Sequence, residues 1–490
     1  MKKLLSLILV LTFFLTFFTL PALAEEPIKI VWKTVCPTDA PNDLRKIIDA
    51  ANAYSAEKIG VVVDLQLMNE TALALEIETG AEWDLSMADS GGNINFDRYA
   101  LRGYFADLTE ALQKDTPALY ATMNASIWEG VTQGGKIFGI PVLKDIAAEI
   151  FFRIDAGYYE DKLGMKIPEE MEFADIEQYL EAYKKDRPSE YPMPLSRGGL
   201  THFAGFMQQI FGRTLVIPYT SVGTDMETTI IPWYECEEYL NRLRLLHKWY
   251  KLAYITPDAA TTETLPFTIL SSVRSGQAWT GYMGWANSGG LKVKLSRYGG
   301  PFMSRGSIQG GVHTINAAIT PEKLTAVLKF VELLSTDTRF RDIYAYGIEG
   351  EHFNYLENGT VLLTDLGRAN YSTTGWMYTM GSYVSASVES SLSPDGEVVL
   401  ADPDLWKKVL AGYDQAIVSA TGSYVFDTEP VESQAAAVSA VMSKYAYEMN
   451  TGTLDIDARL EDIKAELKTA GIDEILQEAQ RQLDEYLKSK

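Results

Sequence analysis

GGKIFGIPVLKDIAAEIFFRID, residues Gly134–Asp155, reads as a tight turn, a strand, a short polar break and a second strand. Gly134-Gly135 is a turn signal. Ile137, Phe138, Ile140 and Val142 form an apolar run of strand length, and Glu149–Asp155, EIFFRID, is a second β-rich run. Pro141 cannot donate to a ladder, so the first run does not continue as a central strand past that point. Lys144, Asp145 and Glu149 sit where the chain changes course. The expectation is that here the polypeptide leaves one lobe and enters another, with a binding cleft between them.

Upstream, Ile28–Val35 reads as a strand, Leu44 to Ile59 repeats apolar residues at helical spacing, and Val61–Met68 is a second strand. A helix near Thr71–Thr79 and a strand over Trp83–Ala88 follow. This β-α-β-α-β order predicts a parallel sheet with right-handed crossovers. Ligands of such sheets gather beyond the carboxyl ends of the strands, here Thr34–Asp39, Met68–Glu70 and Ala88–Asn93. The last is a Gly-rich loop carrying Asp89, without the lysine or the spacing of a phosphate loop.

Downstream, Tyr158 to Tyr183 reads as helical, Ser196–Phe211 as a loop running into a helix, and Thr214–Trp233 as an irregular cleft wall. Cys236 to Tyr250 is an amphipathic helix, and Phe267–Arg274 is also read as helical. Gln277–Tyr282 reads as a strand before a Gly-rich loop, Gly310–Ala318 as another strand, Pro321–Leu334 as a helix, and the tail from Pro403 as mostly helical.

At 490 residues the chain is too long for one ordinary core. Hydrophobic content of 47% and charged content of 22% are those of a folded soluble protein. Lys2-Lys3, an apolar run to Leu20 and Pro21–Ala24 form a secretory signal, residues 1–24, with an A-x-A cleavage site and no lipobox cysteine. Its removal takes the formal charge from −23 to −25, which disfavours nucleic acid and anionic membranes as partners. Cys36 and Cys236 are expected as unpaired thiols, one in each lobe, because a disulfide between them would lock a hinge.

The histidines, His202, His247, His313 and His352, are scattered and form no metal-binding pattern, so no metal or cofactor is expected. With 66 acidic residues, no carboxylate pair can be singled out for glycoside hydrolysis. Aromatics in loops at strand ends stand out instead: Trp233, Trp279, Trp285, Trp376 and Tyr378. An aromatic face packs on the C–H face of a sugar ring while polar side chains take its hydroxyls. Each of these aromatics also has a plain reading as core packing. Trp285 and Trp376 lie in glycine-containing loops that carry polar residues, and Asp89 and Glu149 are the favoured carboxylates, with Asp39 at the end of the first strand.

Several blocks, in order, resemble the family 1 extracellular solute-binding proteins, the receptor components of carbohydrate ABC importers. Glu82-Trp-Asp-Leu85 resembles the family's G-x-x-(F/Y)-D-(L/V) segment, and Gly103–Leu108 its G-x-(F/L)-x-x-L block. Gly135–Pro141 followed by Phe152–Asp155 resembles GKxYGxP…YRxD. Trp249–Ile255 with Pro257-Asp258 resembles WYxxGYIxxD, with Ala253 in place of Gly. Tyr346–Phe353, YGIEGEHF, Gly375–Met377 and the ending Gln477–Tyr486 resemble a branch with an extended C-terminal region.

The resemblance implies an α/β, two-lobed periplasmic-binding-protein-like fold of type II, with crossing hinge strands that close on ligand. Residues 25–143 with about 310–346 are expected as the first lobe, and 144–309 with about 347–490 as the second. Gly310–Ala318 is expected as the return crossing and the region near Trp376 as a third. The implied function is a non-enzymatic, secreted or cell-surface receptor, expected as a monomer, that hands an oligosaccharide or related polar solute to ABC permease subunits. A secreted glycan hydrolase and a partner of a membrane sensor are the alternatives.

Overall fold

The computed structural model describes residues 26–36, 42–144, 146–200, 202–264, 270–274, 292–370, 381–392, 396–419, 421 and 424–488. The expected signal segment, residues 1–24, Asp145 and the expected strand Gln277–Tyr282 lie outside them.

The β-α-β-α-β reading of the N-terminal region holds. Strands Ile28–Val35, Val61–Met68 and Leu85–Ala88 are parallel, joined through helices Leu44–Ile59 and Glu70–Thr79. The sheet has five strands, completed by Val312–Ile315, antiparallel to its neighbours, and by Ile140–Pro141 at the edge. The edge position is the one a proline tolerates. Gly139 is required beside it, because a Cβ there would lie 2.3 Å from Val312 Cγ1. Trp32, at the sheet centre and fully buried, meets Phe330 of helix Pro321–Thr336 edge-on at 5.6 Å. Burying side chains of this size stabilises the lobe by roughly 1.5–3 kcal/mol each.

The second lobe is built on a sheet ordered Leu270–Arg274, Ala147–Asp155, Val293–Met303, Ile417–Val418. Phe152 stacks on Tyr298 at 4.1 Å, over a core that includes Leu243, Leu246 and Trp249 of helix Glu237–Lys251. Helices Glu432–Thr451, Ile456–Ala470 and Ile472–Lys488 close this core. Gly452 lets the first of them turn against Leu246, whose carbonyl oxygen would be 2.4 Å from a Cβ.

Two segments expected as helix are strand. Met207–Phe211 pairs antiparallel with Leu215–Pro218, and Leu270–Arg274 pairs with Ile150–Ile154. Backbone pairing, with a distant strand for Leu270–Arg274 and with the next strand of a hairpin for Met207–Phe211, overrides the local pattern.

The C-terminal division also differs from the expectation. Within 348–415, residues 353–355, Ser387 and the helix Leu405–Gln415 pack on the first lobe, not the second. Asp342 accepts hydrogen bonds from Tyr355 Oη, Ser387 N and Ser387 Oγ, each at 2.7 Å. Helix Leu405–Gln415 buries Trp406, Val409 and Tyr413 in the first core. The chain enters the second sheet again at Ile417–Val418, so a third crossing lies there; the region near Trp376 lies outside the described residues. Likewise Val312–Ile315 is a core strand of the first sheet, and the second crossing precedes it, at 303–312.

The three crossings run side by side. Met303 pairs with Ala147 on one flank and Val418 on the other. Val142 N donates to Gly311 O at 2.8 Å, Lys144 Nζ to Gly310 O at 2.8 Å, and Tyr413 Oη to Lys144 O. Lys144, placed by sequence at the cleft floor or the hinge, therefore ties one crossing to the next. Cys36 ends the first strand, whereas Cys236 is buried in the second core; both are thiols.

Candidate functional site

A cavity of about 590 Å3 opens between the lobes over these crossings. Strand alternation decides what faces it. Ala148 and Ile150 of the outgoing strand line the cavity. Glu149, between them, points the opposite way and pairs with Arg297 Nη1 at 2.9 Å. Burial pushes the Glu149 carboxyl up, against the pull of the Arg297 guanidinium. The favoured carboxylate is thus a strut on the far face of the strand.

The second-lobe wall carries aromatics. Tyr219, just past Leu215–Pro218, lies flat on Phe302 of the returning strand, with centroids 4.4 Å apart and planes 10° apart. Tyr424 and Phe426 extend this wall. The first-lobe wall is a polar knot. Arg305 opens the short helix Arg305–Ile308, whose capping box is made by Ser304 and Ser307. Its Nε donates to both Asp97 oxygens, at 3.1 and 3.0 Å. Asp97 also accepts from Gln309 Nε2 at 2.9 Å and Gln133 Nε2 at 2.8 Å. Arg305 and Asp97 are largely buried, so each needs the other: a charge removed from water is tolerated when paired and hydrogen-bonded.

A second basin of about 750 Å3 continues from the first, sharing Asp97, Arg305, Tyr424 and Val425 with it. Together the basins join flat apolar faces to amides and hydroxyls, and among the described residues their Asp97 and Arg305 charges are matched. That suits a large polar solute with C–H faces.

Of the residues picked from sequence, Asp39, Trp279, Trp285, Trp376 and Tyr378 lie outside the described residues. Trp233 is a correction: it is 0% exposed, in the second core, 5.9 Å from Tyr239, where its large apolar surface is better satisfied than in a wet cleft. Asp89 folds back onto its own loop, its Oδ1 accepting from Gly91 N at 2.8 Å and from Gly92 N. Asp89 thereby shapes the turn that presents Ser90 to the cavity. Sequence reasoning missed Tyr219, Phe302, Asp97, Arg305 and Gln309. Tyr219 falls within Thr214–Trp233, the stretch read as a cleft wall; Asp97 and Arg305 carry no local signal.

Asp43, Glu351 and His352 bring three possible metal-ligand atoms within 4.8 Å of one another. Their hydrogen bonds describe a clasp instead. Lys46 Nζ donates to both Glu351 oxygens at 2.5 and 2.6 Å. Ile348 N donates to His352 Nδ1 at 3.0 Å, which leaves the ring proton on Nε2, 3.2 Å from Asp43 Oδ2. The arrangement fastens the YGIEGEHF turn to the first helix. Histidine 247 is likewise structural, its Nδ1 2.9 Å from Gly452 O.

Among the described residues, no helix is long and apolar enough to cross a membrane. Residues 420–488 match a family described as a domain of unknown function, DUF3502. Over 485 residues the chain is 25% identical to a carbohydrate ABC transporter substrate-binding protein of Streptococcus pneumoniae, covering 92% of this chain and 90% of that one. The structure of the N-glycan transport solute binding protein NgtS from S. pneumoniae superposes with a TM-score of 0.77 at 23% identity, covering 94% of this chain and 99% of that one. The same protein in complex with Man5GlcNAc superposes at 0.61 with 22% identity and the same coverage. The chain therefore has the two-lobed fold of the solute-binding proteins.

Proposed function

We propose that this protein is the solute receptor of a carbohydrate ABC importer, capturing an oligosaccharide between its lobes and delivering it to membrane permease subunits. The observation that carries the reading is the Tyr219–Phe302 platform facing the Asp97–Arg305–Gln309 knot across a cleft floored by three crossings. The curated relative's designation supports the importer role, and the complexes of NgtS with Man5GlcNAc and Man1GlcNAc make mannose–N-acetylglucosamine glycans the first to test. The mature chain acts as a secreted or surface-held monomer, and it binds without catalysis.

Calorimetry of residues 25–490 against a glycan panel, with the products analysed, tests this. A one-to-one complex with every glycan recovered unchanged is expected. Turnover of any glycan overturns the receptor reading in favour of a hydrolase.

A further inference from the structure

The C-terminal region is more than a brace for the second lobe. Its first residues, 424–427, are stapled to the last helix. Tyr424 Oη donates to Ala479 O at 2.7 Å, Asp427 N donates to Gln482 Oε1 at 2.9 Å, and Gln482 Nε2 returns a bond to Asp427 O at 2.8 Å. Phe426 rests edge-on against Phe211 at 6.3 Å. Between these anchored aromatics Val425 is held out into the second basin, 64% exposed. On the facing wall, at the end of helix Phe96–Leu101, Leu101 is 78% exposed and lines the same basin.

A single exposed aliphatic needs no explanation. Two of them, on opposite lobes and facing one cavity, are a different matter. Thr132, Gln133 and the Gly134–Gly135 turn add hydroxyl, amide and backbone groups to the same wall. At about 750 Å3 the basin lies within the roughly 300–1,000 Å3 span of small-molecule sites. It is continuous with the Tyr219–Phe302 basin through Asp97, Arg305, Tyr424 and Val425. A ligand that fills the first basin and extends along the cleft enters the second.

We propose that Tyr424, Val425, Gln482 and Tyr486 of the C-terminal region, with Leu101 of the first lobe, form an outer carbohydrate subsite that takes the hexose units of a long or branched glycan beyond those seated on the Tyr219–Phe302 platform. This gives the region matched by the family of unknown function a binding role, and it rests on the glycan-receptor reading. Val425 and Leu101 pack on C–H faces from either side, while the 132–135 wall meets hydroxyls. Short glycans, held over Phe302, do not reach it.

The test uses the mature protein with Leu101→Ser and Val425→Ser, both at exposed positions, and Man5GlcNAc and Man1GlcNAc as probes. Each variant is expected to weaken Man5GlcNAc about tenfold, the loss of one buried aliphatic contact, and to leave Man1GlcNAc within about twofold. Equal weakening of both glycans overturns the subsite and makes the two residues a closure latch. Wild-type binding of both glycans with unchanged variants overturns the subsite alone, whereas wild-type protein that binds neither overturns the glycan reading and the subsite with it.

Discussion

The two walls of the cleft are made from different materials. The first-lobe wall is a knot of buried charge, in which Asp97 holds Arg305, Gln309 and Gln133. The second-lobe wall is aromatic, with Tyr219 flat on Phe302. The difference separates holding from fitting. The knot ties the second crossing, through Arg305, to the Phe96–Leu101 helix, so it sets where the first lobe stands at the hinge. The aromatic wall offers a flat face that a sugar ring can use in more than one register. A receptor that must capture a solute and then release it gains from a firm hinge and a contact surface without buried, unmatched charge.

Breaking the knot is expected to have the largest effect. Asp97→Ala leaves the Arg305 guanidinium without its carboxylate, and losing one partner of a buried pair costs about 3–5 kcal/mol. A urea titration of the free protein should show a clearly lowered midpoint; an unchanged midpoint would mean that the pair is not what holds this wall.

Altering the aromatic wall should show the reverse pattern. Phe302→Leu keeps an apolar side chain of similar bulk and removes an aromatic pair worth about 1 kcal/mol. Glycan affinity is expected to fall about fivefold, measured by calorimetry, with only a small change in stability. A stability loss comparable to that of Asp97→Ala, with affinity intact, would erase the distinction between the walls.

The smallest effect belongs to Glu149, on the far face of the strand that floors the cleft. Glu149→Gln should leave glycan affinity within about twofold, and should change stability by less than about 1 kcal/mol, because burial and Arg297 pull its carboxyl in opposite directions. Its carboxyl is raised in the folded state, so its contribution is fully present below the ordinary carboxylate range and is lost as pH climbs through the raised value. The Gln variant should flatten that part of the pH–stability profile. A large affinity loss would instead put the carboxylate in the cleft.

Much of the architecture could be read in advance from local pattern. The parallel strands and their helices, the helix ending at Lys251 and the amphipathic tail all follow from apolar spacing, and each matches what forms. The failures share one cause. Leu270–Arg274 and Met207–Phe211 are strands because a partner strand, far off in the chain for the first and next along it for the second, offers backbone hydrogen bonds that apolar spacing within the segment does not announce. Ser387 and the helix Leu405–Gln415 belong to the first lobe because Asp342 and the first core receive them, which chain order does not reveal.

The site was less legible than the fold. Trp233, picked as a loop aromatic, is in the core; Phe302, which was not picked, forms the platform. Arg305 and Asp97 are 208 residues apart in the chain, and neither flanking sequence marks it as half of a buried pair. What the amino-acid order could establish from Gly134–Asp155 was a change of lobe: the paired glycines, Pro141 and the polar break act within a few residues, where sterics and hydrogen-bond capacity are local properties. Which face of that stretch lines the inter-lobe cavity, which carboxylate is matched by which cation, and where the third crossing runs were settled by folding, because burial and charge pairing depend on neighbours that arrive from far along the chain.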